Sequence, residues 1–233
     1  MYKAESSCRL INYNKNIASF KRLIEMKNTI TTIDTKEQIL NVAERQFGEK
    51  GFAGTTLRGV IREAGVNIAA VHYHFGSKEE LFIAAVRRVA QQMVPAQIEE
   101  LVKYTSQDKT PSLENIMEAF FAPPLRMISQ MGEAGVIRGQ FIGRCRAEPL
   151  PIQQLADREF NESQQRFLDI LQRALPNQTR LELEWKFDLM IAILVRTLNQ
   201  VGQSGKVITG NSSEEVEIAI SRLVRFLCEG MKT

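Results

Sequence analysis

Helix start and stop signals crowd the stretch from Asp34 to Leu81, and few folds can absorb so many short helices in so little chain. Thr35 and Gln38 have the spacing of a capping box, and Ile39, Leu40, Ala43 and Phe47 then recur at helical intervals until Gly51. Thr56 is placed to cap a second helix whose apolar residues Leu57, Val60, Ile61 and Ala64 fall at i, i+3, i+4 and i+7, with Gly65 as its stop. Asn67 can cap a third, from Ile68 to about Phe75, and Ser77 with Glu80 opens a fourth.

A short helix, a Gly-Val turn and a second short helix with an apolar seam satisfy the requirements of a helix-turn-helix. Gly65 can take the left-handed conformation that ends the first helix, Val66 fills the angle, and Val71 faces the small core. The second helix then presents Asn67, Ile68, Ala69, Ala70, His72, Tyr73 and His74 outward. Hydroxyl and imidazole groups suit phosphate oxygens, whereas small apolar side chains suit thymine methyls. Thr56, Tyr73, His74 and Lys78 are therefore assigned to the DNA backbone, and Ala69, Ala70 and His72 to base edges. This face has no arginine for a bidentate guanine contact, which leaves specificity to shape, methyl groups and His72.

The remainder reads as helical. The fourth helix runs through Leu81, Phe82, Ala85, Val86 and Val89, is expected to bend near Pro95, and links head to body. Further helices are predicted at about 112–122, 124–131, 136–147, 152–175, 180–203 and 213–231, separated by Pro, Gly or polar breaks. Leu57–Ile61 and Lys206–Thr209 could pass for strands by composition, but the first has helical periodicity and the second lies in a Gly-flanked loop. The expected fold is all-α: a three-helix head at 34–80, a larger ligand-binding and dimerisation body at 81–233, and an extension at 1–33. That extension holds six Lys/Arg against two Asp/Glu and reads as a solvated tail, with a basic arm toward DNA as the sharper alternative.

Several function classes find no support. No apolar run is long enough for a membrane span, and residues 1–20 do not have the pattern of a secretory leader, so a cytoplasmic location is expected. Cys8, Cys145 and Cys228 are too dispersed for a disulfide framework or a zinc site. His72 and His74, the only histidines, stand two apart on a helix and point in different directions, which argues against a metal. With no nucleophile motif, an enzyme on a helical scaffold is the remote alternative, and neither catalytic residue nor cofactor is assigned.

In the body, Phe120, Phe121, Met127, Met131, Phe141 and Trp185 could line a hydrophobic cavity, with Arg144 as an anionic anchor; ordinary core packing competes for the same residues. The last two helices carry long apolar faces, Trp185, Leu189 and Ile193 on one and Val216, Ile220, Leu223 and Leu227 on the other. Four such helices from two subunits can form an interface, although one chain could also bury them internally.

The stretch TTLRGVIREAGVNIAAVHYHFGSKEEL, from Thr55 through Leu81, resembles the signature of the TetR family of bacterial repressors. It has the paired threonines, the EAGV turn, the aromatic YHF and the SKEEL helix opening. The resemblance covers about residues 35–90 and implies that Thr56, Tyr73, His74 and Lys78 occupy phosphate-contacting positions, with Ile68 to Ala70 and His72 at or beside base-contacting ones. Many members have Lys or Arg where this chain has Ile68. The body is similar to one subgroup of that family through GRCRAEP at 143–149 and RALPNQTRLELEWKFDLMIAIL at 173–194. Some members of that subgroup answer to fatty acids or their coenzyme A esters. The resemblance thus implies a homodimer that binds double-stranded palindromic operator DNA as a repressor and is released by a small, hydrophobic, acyl-type effector; an activator or a ligand-independent DNA-binding factor is the alternative.

Overall fold

The computed structural model describes residues 35–105, 110–201 and 212–232. The N-terminal extension and the 206–209 loop lie outside the described residues. Within them there are ten helices and no strand: α1 (35–54), α2 (Leu57–Ala64), α3 (Ile68–His74), α4 (Lys78–Thr105), α5 (Leu113–Met131), α6 (Glu133–Cys145), α7 (Ile152–Asp157), α8 (Asn161–Ala174), α9 (Arg180–Asn199) and α10 (Ser213–Lys232).

The head forms because each short helix buries one stripe. Ile39, Leu40, Ala43 and Phe47 of α1, Val60 and Ala64 of α2, Val71 of α3 and Leu81 and Phe82 of α4 close a single core, with Phe75 sealing the α3–α4 turn. α4 then runs as one helix across residues 80 and 81, so head and body share a structural element rather than a linker.

Several predicted boundaries differ from the structure: α1 runs through Gly51, its expected stop, to residue 54, and the helix expected at 136–147 spans Glu133–Cys145. The helices expected at 112–122 and 124–131 are one helix, α5, which passes through Pro123 and Pro124. Proline removes backbone donors but its φ is helical. Ten residues of α5, from Ile116 to Ile128, are buried among α4, α6 and α10, and that burial outweighs the missing backbone bonds. Conversely, the long helix expected over 152–175 is divided into α7 and α8 by a turn at Arg158–Phe160, which seats Phe160 in the core and Arg158 at the surface.

α6 carries three glycines at a spacing of four, and two of them, Gly135 and Gly143, let this helix pack at backbone distance on both neighbours. A Cβ at Gly135 would lie 2.6 and 2.7 Å from the Met127 and Ile128 carbonyl oxygens of α5, and one at Gly143 would lie 2.8 Å from the Asn199 amide nitrogen at the end of α9. Gly139 between them would meet only side-chain atoms, at 3.5 Å or more.

α6 also joins body to head. Phe141 is fully buried against Phe47 and Phe82, with ring centroids 6.3 and 6.2 Å away, and its backbone runs beside Gly48. Arg138 of α6 donates to Glu44 of α1 (3.1 Å), which also receives Arg88 of α4 (2.7 Å). Just beyond α6, the Glu148 carboxylate accepts from the Phe52 backbone amide at 2.9 Å. A ring pair, an ion cluster and a backbone clasp therefore fix the head on the body.

Candidate nucleic-acid interface and body cavity

The local geometry of α2 and α3 is set by the residues that announced them. Thr56 is extended (φ −125, ψ 145), and its hydroxyl accepts from Gly59 N at 3.0 Å. Gly65 ends α2 at φ 64, left-handed, and its amide bonds to the Ile61 carbonyl. Asn67 caps α3 through its side-chain oxygen, which accepts from Ala69 N at 3.0 Å. Thr56 and Asn67 thus cap the N-termini of the two helices of the motif.

Val71 and Phe75 anchor α3, while Ile68 (51% exposed), Ala69, His72 and Tyr73 (82% exposed) lie on the open side. Ala70 belongs to the same helix. His74 is half-buried, its ring 5.1 Å from that of Tyr73 and 6.0 Å from that of Phe75. Lys78 begins α4 with its ammonium 4.3 Å from the centre of the Phe52 ring, which holds it beside the head and ties it to the residue Glu148 grips. His72 is also held: its Nδ1 lies 3.1 Å from the Gly76 carbonyl oxygen, in a turn made possible by Gly76 at φ 72.

In the body, a cavity of about 40 Å³ lies where α4, α5, α6, α8 and α9 converge. Met93 and Gln97, Phe120, Ile142 and Arg146, Phe160, Ser163 and Gln164, and Ile191, Leu194, Val195 and Leu198 form its walls. Of the seven candidate ligand residues, Phe120 lines it. Phe121, Met127 and Phe141 are buried in packing elsewhere, Met131 packs beside Arg138, and Trp185 is 61% exposed on α9. Arg144 points to the head: it pairs with Glu148 and borders Gly51.

The charged group at the cavity is instead Arg146, two residues on, which sequence reasoning passed over although GRCRAEP contains it. Its side chain is nine-tenths buried; Asp157 lies 3.2 Å from Nε without a well-formed hydrogen bond, and the Phe160 ring is 5.5 Å away. Burial pushes its pKa down, against the pull of Asp157 and Asp188. Helical periodicity could mark Arg144 and Arg146 as candidates, but not which of them looked inward. Among the described residues no group of three His, Cys, Asp or Glu side chains could hold a metal ion, and no helix is long and apolar enough to cross a membrane.

A helix-turn-helix head carried on a larger helical body defines the class of two-part regulators, and the comparisons with known proteins narrow it. Residues 39–85 match the family model described as bacterial regulatory proteins, tetR family, and residues 118–230 match the tetracyclin repressor-like C-terminal domain. Together the two span well over half the chain, which belongs to the TetR family of transcriptional regulators. The chain is 44% identical over 68 residues to the HTH-type transcriptional dual regulator CecR of Shigella flexneri, covering 28% of this chain and 30% of that one. It is 33% identical over 93 residues to the nicotine-responsive repressor HdnoR of Paenarthrobacter nicotinovorans, 40% of this chain and 47% of that one. The chain thus spans about a third to a half of the length of these curated relatives. Solved structures extend the likeness in fold to the body. A TetR family regulator from Shewanella sp. PV-4 superposes with a TM-score of 0.60 at 18% identity, covering 82% of this chain and 97% of that one. FadR from Bacillus subtilis, in complex with stearoyl-CoA, gives 0.62 at 14%, covering 83% and 98%.

Proposed function

We propose that this chain is a homodimeric repressor that binds a palindromic operator through α2 and α3 and leaves it when a small hydrophobic effector enters the body. The observation that carries the DNA-binding half is the exposed side of α3, where Ile68, Ala69, His72 and Tyr73 stand clear of a core closed behind them by Val71 and Phe75. Ala69, Ala70 and His72 meet base edges; Thr56, Tyr73, His74 and Lys78 meet phosphates, and Asn67 and Ile68 border them. A seven-residue helix binds one half-site weakly, so two copies on a two-fold axis are needed to read a palindrome. The dimer surface is the face of α9 and α10 that exposes Leu181, Trp185 and Leu189, four residues apart, with Ile218 and Phe226.

The effector site is the cavity that Arg146 borders. At about 40 Å³ it is far below the several hundred Å³ that an ordinary small-molecule ligand occupies, so an effector enters only by spreading α4, α6, α8 and α9. Arg138, Phe141 and Glu148, on or just after α6, grip the head, and displacement of α6 therefore changes head placement. Differential affinity for two body conformations becomes differential affinity for DNA. The B. subtilis FadR complex with stearoyl-CoA supports an acyl-type effector for this chain as the first to try. The dual regulator among the relatives keeps activation as a second reading, and the position of the operator relative to the promoter separates the two.

Footprinting the purified protein on the DNA upstream of its own gene tests the proposal. Two protected half-sites about a helical turn or more apart are expected; absence of any protected segment there and at neighbouring promoters would count against it.

A further inference from the structure

His72 carries chemical information that its position alone does not. The Gly76 carbonyl oxygen, 3.1 Å from Nδ1, can only accept a hydrogen bond, so Nδ1 must carry the proton and donate. A neutral imidazole has a single N–H. The proton on Nδ1 therefore leaves Nε2 as a bare acceptor. Nδ1 and Nε2 flank Cε1 and their outward directions diverge widely, so with Nδ1 tied back to the α3–α4 turn, Nε2 faces away from that turn on an exposed side chain. The tether is built into the turn: Gly76 adopts φ 72, a conformation costly to other residues, and its amide bonds back to the carbonyls of Val71 and His72. His72 itself is exposed and one helical turn from Ile68 and Ala69 on α3.

In the major groove only two bases offer a donor: cytosine through N4 and adenine through N6. Guanine and thymine present acceptors at the corresponding edge. We propose that His72 is a specificity-determining residue that selects an exocyclic amino group, so that one position in each operator half-site is cytosine or adenine. The opposite tautomer would present Nε2–H, which guanine, thymine and adenine N7 can accept but cytosine cannot, and the Gly76 carbonyl is what decides between them. This inference rests on the DNA-binding reading of the head, but it can fail while that reading stands.

The test is selection of binding duplexes from a random library by the full-length protein at pH 8, followed by affinity measurements on the selected duplex. Selection with His72→Ala identifies the position whose preference depends on His72. That position should be cytosine or adenine. Replacing it by the analogue lacking the amino group, 2-pyrimidinone for cytosine or purine for adenine, should weaken the wild-type protein roughly 3- to 10-fold and leave His72→Ala unaffected. His72→Lys, a donor with no acceptor, should move the preference at that position to guanine. A wild-type preference there for guanine or thymine, full tolerance of the deleted amino group, or no position that responds to His72→Ala overturns the inference while leaving DNA binding intact. Failure to select any sequence overturns both it and the reading of the head.

Discussion

The glycine ridge of α6 gives an unusually sharp prediction, because chemically identical substitutions four residues apart should have opposite signs. Replacing a helical glycine by alanine in open space stabilises by about 1 kcal/mol, since glycine has more backbone freedom to lose. At Gly139 the new methyl would lie 3.5 Å from Leu198 and 3.7 Å from Ile128, ordinary contact with side chains, so Gly139→Ala should stabilise by about 0.5–1 kcal/mol. At Gly143 the same methyl would lie 2.8 Å from Asn199 N and 3.0 Å from the Val195 carbonyl oxygen, closer than atoms tolerate and against backbone that cannot rotate aside. Overpacking costs about 1–3 kcal/mol, more when a helix pair must separate, and the propensity gain recovers only part. Gly143→Ala should therefore destabilise by about 1–2 kcal/mol. Gly135→Ala, against two carbonyl oxygens and an α-carbon at 2.6–2.8 Å, should cost about 2–3 kcal/mol. Urea unfolding of the three variants at one fixed protein concentration checks the series, the concentration being held because association contributes to apparent stability. Destabilisation of Gly139→Ala to the level of its neighbours would refute this packing scheme, as would Gly135→Ala and Gly143→Ala both falling within about 0.5 kcal/mol of the wild type.

Other perturbations reach the head, the ion cluster and the exposed face. Thr56→Ala removes the α2 cap and should lower stability by about 1 kcal/mol, whereas Thr56→Ser should retain most of it, as measured by urea midpoint. Gly65→Ala meets no neighbouring atom but forces a side chain into the left-handed region, so it should cost about 1 kcal/mol and Gly65→Asn less, by the same assay. Burial raises the Glu44 carboxyl above its ordinary pKa, outweighing Arg88 and Arg138. A raised acid holds its proton in the folded state after the unfolded chain has released it; Glu44 thus contributes stability below the unfolded pKa that fades as pH rises through the folded one. Glu44→Gln should flatten the pH dependence of the urea midpoint just above the ordinary carboxylate range. Trp185→Glu combined with Leu189→Glu should shift the protein toward monomer in sedimentation velocity, with the helical content of the monomer retained.

Apart from the end of α1, which runs past Gly51, the head was legible residue by residue because its boundaries are made by local chemistry. Thr56, Gly65 and Asn67 each act on atoms within four positions of themselves, and caps of that kind can be recognised from sequence alone. The body was legible as helices but not as an arrangement. Pro123 and Pro124 suggested a break that the burial of α5 overrides, which depends on distant partners. Phe141 and Arg144 were recognisable as large and charged residues of one helix, yet periodicity does not say whether a face meets the cavity or the head; both meet the head, and Arg146 meets the cavity. Trp185 would ordinarily be assigned inward, yet it is 61% exposed on α9.

That α3 and the start of α4 hold this protein on DNA is tested most directly by fluorescence anisotropy with a duplex carrying the footprinted palindrome, titrated across a range of salt concentrations. The wild type should bind tightly with a steep salt dependence. Tyr73→Ala combined with Lys78→Ala should weaken binding roughly 10-fold or more and lower the salt slope by about one for each lysine–phosphate pair removed. An affinity and a salt slope unchanged in that double variant would contradict the account.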